Sequence, residues 1–254
     1  MTMIDHPRLV SDIPEIGHAE AEGLAETAYA RFAESLAELT PDSWELSTDC
    51  VGWNVRDLAG HLVGAMRSAA SLREMASQQA AVVRGVRQGR GAQVDVMTQI
   101  QIDRTAALTS ADLVAECRAL VRPAAAGRHR LPGLVRRARF KADLGYAIER
   151  WSVGYLNDVI LTRDTWLHLI DLHRAIGTPP LLTADHDGRI VADVVAEWAR
   201  RHGQPFTLNL TGPAGGTYAT SAAGEALALD AVEFCRIVSG RAAGTGLLTT
   251  PVPF

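Results

Sequence analysis

The chain has 254 residues, of which 47% are apolar and 21% charged, enough for one large domain or two modest ones with a sizeable core. A formal net charge of −4 argues against non-specific nucleic-acid binding, which needs a basic surface. The opening segment MTMIDHPRLV lacks the apolar stretch of a signal peptide, and no run of roughly 18 apolar residues is present to span a membrane, so a cytoplasmic protein is expected.

The cysteines Cys50, Cys117 and Cys235 are widely spaced and none lies in a CxxC pair, which excludes a disulfide framework and fits a reducing compartment. Cys117 and Cys235 read as small buried apolar residues. Lys141 is the only lysine among 25 basic residues, and alanine is abundant, a bias of GC-rich coding.

Residues 15–39 place Leu24, Ala28, Phe32, Leu36 and Leu39 at helical spacing, and Pro41-Asp42-Ser43 ends that helix. In the next segment, TDCVGWNVRDLAGHLVGAMRSAASLREM, Asn54 is a good N-cap, with Asp57 three residues on and Val55, Leu58, Leu62, Ala65 and Met66 forming an apolar stripe. Residues 85–91 read as a glycine-rich loop and residues 94–108 as a helix, after which Ser110 caps a helix expected to end near Pro123. Residues 122–141 carry Arg122, Arg128, Arg130, Arg136, Arg137, Arg139 and Lys141 and read as a solvated, partly irregular connection. Residues 154–175 form another long helix, stopped by Gly177-Thr178-Pro179-Pro180.

Beyond that break the character changes. Residues 187–202 are an amphipathic helix, residues 207–212 and 216–220 alternate like strands around a Gly/Pro turn, residues 226–230 form a third strand, and residues 231–239 a last helix. The expected class is α+β: a four-helix bundle over residues 1–178, followed by a small α/β domain over residues 179–254. No glycine-rich phosphate loop follows any strand.

His6 and His18 fall in or near the N-terminal arm, His129 in the basic stretch, and His186 and His202 near helix ends. His61, His168 and His173 lie within helices. Asp164 precedes His168 by four residues, a rotation of about 400°, so both side chains leave one helix face about 6 Å apart. Asp171 lies near that face, whereas His173 is off it and reads as a helix-end or surface residue. An Asp–His pair at this spacing is more often an ordinary surface pair, but it can also supply two ligands of a metal ion completed by a histidine from a facing helix.

TDCVGWNVRDLAGHLVGAM resembles the entry to the second helix in the mycothiol-dependent maleylpyruvate isomerase family of the DinB-like superfamily, where a loop Trp precedes a helix whose His is the first metal ligand. That pattern maps onto Trp53 and His61. TRDTWLHLID is similar to the family's acidic residue and His at i, i+4, followed by Asp, here Asp164, His168 and Asp171. LDAVEFCRIVSGRAAGTG resembles the family's sterol-carrier-like C-terminal domain, including its Gly240-Arg241 step. Asp164 departs from the pattern, because the isomerase that names the family has Glu there.

The resemblance implies a DinB-like bundle binding a divalent metal, most simply zinc, through His61, Asp164 and His168, with coordination positions left open for catalysis. It also implies mycothiol as cosubstrate, used to isomerise an electrophilic small molecule or transferred to it as a thiol conjugate. Asp171 would orient a ligand histidine or simply serve helix packing or capping, Arg241 would hold a substrate carboxylate or stand as an ordinary surface arginine, and Trp53 would pack its loop against the bundle. A metal hydrolase or a non-catalytic binding module are the alternatives, and monomer or homodimer the expected states, with no nucleic-acid or membrane partner.

Overall fold

The computed structural model describes residues 7–144 and 146–254; His6 lies outside them. The described residues divide into two compact units, His18–Pro179 and a second unit in which Pro180–Phe254 joins residues 7–17. The arm over residues 7–17 therefore belongs with the C-terminal unit, contrary to the boundary expected from sequence. Its strand β1 (Arg8–Leu9) pairs in parallel with Gly216–Ala219, and the Ile16 N–H donates to Asp193 at 2.9 Å. A two-residue strand is too short to show alternation in sequence.

In the helical unit, α1 (His18–Ala37) buries Leu24, Ala28, Tyr29, Phe32 and Leu36. His18 stacks on His129 with ring centroids 4.1 Å apart. α2 (Val55–Ala70) opens with a full capping box: Asn54 Oδ1 accepts from the Asp57 N–H at 2.9 Å, and Asp57 accepts from the Asn54 N–H at 3.2 Å. Ser71, in extended conformation, ends α2 and caps α3 (Leu72–Arg87), breaking what reads in sequence as one continuous segment. α4 (Gln93–Thr105) follows, then α5 (Ser110–His129), whose N-cap is Thr109 rather than Ser110.

α5 runs through Pro123 instead of ending there. Ala124, Ala125 and Arg128 beyond the proline are buried, and this packing outweighs the lost backbone bond. The expected irregular connection is likewise structured. Gly133–Arg137 forms the short helix α6, and β2 (Arg139–Asp143) pairs with β3 (Ile148–Ser152) in an antiparallel hairpin. Ala142 and Trp151 anchor the hairpin on Ile160. A short helix α7 (Val153–Tyr155) and a π-turn over Leu156–Ile160 lead into α8 (Leu161–Ala175).

α1, α2, α5 and α8 enclose a core built from Phe32, Leu36, Leu58, Leu62, Met66, Leu113 and Leu169. α4 packs on both α2 and α3. A Cβ at Gly64 would lie 2.6 Å from Gln101 Cβ, so the bare backbone of α2 is what lets α4 come this close.

The second unit contains α9 (Asp187–His202), β4 (Phe206–Thr211), β5 (Gly216–Ala219), β6 (Glu225–Asp230) and α10 (Ala231–Val238). The strands form one sheet in the order β1-β5-β4-β6, with β4 antiparallel to β5 and parallel to β6. β4 alternates strictly between buried and exposed residues, and its Phe206, with Phe234 of α10, packs against Trp198 of α9. Among the described residues no helix is long and apolar enough to cross a membrane.

Candidate metal centre

The cap at Asn54 fixes where α2 starts, and His61 comes nearly two turns later on its buried face. The loop before the cap closes as a turn from Cys50 to Trp53, with the Trp53 N–H donating to the Cys50 carbonyl at 3.0 Å. Gly52 occupies its third position with φ +82°, a conformation that suits glycine. The turn brings the Trp53 ring to 5.2 Å from His61 and 6.0 Å from His168, centroid to centroid. On α8, Asp164, His168 and Asp171 fall on one face, and the π-turn that leads into this helix is a feature often found beside functional sites.

The structure brings His61, Asp164, His168 and Asp171 together. Asp164 Oδ1 lies 3.3 Å from His168 Nε2, and its Oδ2 lies 3.8 Å from His61 Nε2. The two imidazoles meet edge to face at 5.1 Å. One donor atom from each of His61, Asp164 and His168 lies within 4.8 Å of the others. Nitrogen and oxygen ligands about 2 Å from a tetrahedral ion stand about 3.3 Å apart, so the cluster is close to that spacing. Both histidine side chains are nearly buried, at 8% and 6% exposure, whereas Asp164 is 25% exposed, so solvent reaches the cluster on the Asp164 side.

The nitrogens facing away from this point are held. His168 Nδ1 lies 3.0 Å from Asp171 Oδ2, and His61 Nδ1 lies 2.8 Å from Gln101 Oε1. Each acceptor favours the proton on Nδ1 and leaves Nε2 as the inward atom. The buried Nε2 of His61 has no hydrogen-bond partner. A buried polar atom left this way is costly unless something fills its coordination, and a cation between three such groups does so. The donor set therefore fits a divalent metal ion with open positions.

Burial works against charge on Asp164, but His168 and His61 outweigh it and hold the carboxyl far below the ordinary carboxylate range. Burial also works against a charged His168, yet Asp164, Asp171 and Cys50 together push that imidazole well above its ordinary range. The field at the cluster thus favours positive charge, whether a proton or a metal ion supplies it. Cys50, His168 and Asp171 form a second group with metal-ligand spacing. Its members already satisfy one another, since the Cys50 thiol donates to Asp171 Oδ2 at 3.4 Å.

The remaining expected residues sort clearly. Arg241 belongs to the other unit, where its carbonyl accepts from Arg236 at 3.4 Å. His173 sits at the end of α8 with both nitrogens engaged, by Ser35 at 3.0 Å and Thr178 at 2.9 Å. His202 is not the helix-end cation its position invites: its Nδ1 accepts from the Gln204 N–H at 3.0 Å, and burial lowers its pKa. Cys117 and Cys235 are buried, as their apolar surroundings in sequence imply.

Sequence reasoning missed Gln78, Gln101 and Cys50. The glutamines lie on helices whose polar residues look solvent-facing, yet both are buried. Cys50 reaches Asp171 across 121 positions of sequence, and no local pattern announces such a contact.

Residues 25–173 match the family model for the mycothiol maleylpyruvate isomerase N-terminal domain. Two crystal structures, one of the mycothiol-dependent maleylpyruvate isomerase and one of a histidine-to-alanine mutant of it, each align over 93% of this chain and 93% of their own length at 13% identity and TM-score 0.55. A comparison with curated proteins returned no match. The two crystal structures establish a shared fold, and the family match spans more than half of the sequence, including both helices that carry the cluster: the chain belongs to the mycothiol maleylpyruvate isomerase N-terminal domain family.

Proposed function

We propose that the protein is a metal-dependent enzyme that uses mycothiol to isomerise an electrophilic small molecule or to form a thiol conjugate with it. His61, Asp164 and His168 would hold the ion, and their nitrogen and oxygen donors suit zinc. The observation that carries the reading is the buried, unpartnered Nε2 of His61, facing Asp164 inside a domain of this family.

A divalent cation held there supplies a Lewis acid that favours the thiolate of a bound thiol at neutral pH. Asp171 keeps the His168 proton on Nδ1, and Trp53 covers the two imidazoles on one side. The partly exposed flank of Asp164 is the side from which small molecules reach the cluster. In an isomerisation the thiol adds to a conjugated double bond, the resulting single bond rotates and the thiol leaves, so no thiol is consumed. In a conjugation the carbon–sulfur bond persists. Asp164 is one methylene shorter than the Glu of the namesake isomerase, so we assign the substrate class, an electrophile, rather than maleylpyruvate itself.

The test is metal analysis of the purified full chain, followed by a screen of electrophiles on zinc-loaded protein with mycothiol, glutathione or cysteine. Turnover that requires both zinc and a thiol, with mycothiol preferred, supports the proposal. Turnover without thiol points to metal-dependent hydrolysis instead. Folded protein that neither retains stoichiometric metal nor gains activity with zinc overturns it.

A further inference from the structure

A neutral imidazole carries its proton on one nitrogen, and the groups that fix the choice for His61 come from α3 and α4. His61 Nδ1 lies 2.8 Å from Gln101 Oε1. Gln101 Nε2 donates to Gln78 Oε1 at 3.2 Å. Gln78 Nε2 donates to the Gly64 carbonyl at 2.9 Å and to Glu74 Oε1 at 3.0 Å.

The direction of this series is forced from its far end. The Gly64 carbonyl has no proton to give, and Glu74, paired with Arg104 at 2.6 Å, is an acceptor too. Gln78 must therefore turn its amide nitrogen to them and its oxygen to Gln101. Gln101 must turn its nitrogen to Gln78 and its oxygen to His61. Reversing either amide would set acceptor against acceptor between groups that are buried, where such a clash is costly. His61 is left to donate from Nδ1. Gly64 serves twice, since its carbonyl starts the series and its missing side chain admits Gln101.

We propose that Gln78 and Gln101 are positioning residues: a hydrogen-bond relay of fixed direction that starts and ends on α2, holds His61 in the Nδ1–H tautomer and aims the Nε2 lone pair at Asp164 and His168. Its effect on metal affinity rests on the metal reading above, whereas the tautomer itself does not.

The experiment is long-range nitrogen–proton NMR on the metal-free, histidine-labelled full chain at alkaline pH, with the His61 signals assigned from a His61→Ala spectrum. Wild type should show His61 protonated at Nδ1. Gln101→Leu should move most of the population to Nε2–H, Gln101→Glu should keep Nδ1–H, and Gln78→Leu should give a mixture. In chelator competition Gln101→Leu should hold zinc about 10–100-fold more weakly than wild type, and Gln101→Glu no more weakly. A wild-type His61 protonated at Nε2 overturns the relay without reference to any variant, which covers the case of a leucine variant that fails to fold. A tautomer unchanged in folded Gln101→Leu overturns it as well. Wild type that shows the Nδ1–H tautomer but binds no zinc supports the relay and defeats the metal reading alone.

Discussion

Asp171 Oδ2 lies 3.0 Å from Nδ1 of His168, one turn earlier on the same helix, and Asp171 is fully buried. The same imidazole lies 3.3 Å from Asp164 through its Nε2, so His168 stands between the two carboxylates. Asp171→Ala should weaken zinc binding about 10–100-fold in chelator competition, the range typical of lost outer partners of a ligand histidine. Asp171→Asn, which keeps an acceptor oxygen, should recover most of that loss.

His61→Ala and His168→Ala should each reduce the metal content of purified protein from about one equivalent to near zero. Far-ultraviolet circular dichroism should stay close to wild type, because the core of Phe32, Leu58, Leu62 and Leu113 does not depend on either ring. Full metal retention in both variants would show that the ligands lie elsewhere.

Two glycine substitutions should act with opposite sign. Gly64→Ala would put a methyl 2.6 Å from Gln101 Cβ and 2.9 Å from its Cα, so overpacking should cost about 1–3 kcal/mol and lower the denaturation midpoint. Gly23, in the second turn of α1, has nothing within 4 Å of an added Cβ, and Gly23→Ala should stabilise by about 0.5–1 kcal/mol through helix propensity.

Burial pushes the Cys117 thiol up from 9.0 to about 12. At pH 8 a thiol reagent should therefore leave Cys117 unmodified in the native chain and label it once the chain is unfolded. A folded-state pKa raised above the unfolded value makes the corresponding stability complete below about pH 9 and lost as pH rises towards 12. Between about pH 8 and about pH 10.5 the unfolding free energy should fall further in wild type than in Cys117→Ala, by at most about 1.4 kcal/mol per pH unit above about pH 9.

Much of the architecture was legible because it rests on local periodicity. Leu24, Phe32 and Leu36 marked α1, Asn54 and Asp57 marked the start of α2, and strict alternation marked β4. The spacing of Asp164, His168 and Asp171 placed three members of the site on one helix face. Short-range reading failed where packing overrules propensity: at Pro123, which α5 passes through, and at the hairpin of Arg139–Asp143 with Ile148–Ser152, whose arginines hid the alternation.

By itself the sequence determined which residues can share a helix face, since the helical repeat fixes that over four residues. Only the tertiary structure decided what stands opposite that face. His61 arrives from another helix, Gln101 reaches it because Gly64 leaves room, and Cys50 meets Asp171 through a turn that depends on Gly52. Each of these contacts joins segments tens of residues apart, and their meeting is set by how whole helices pack, a property of the folded chain that no local repeat encodes.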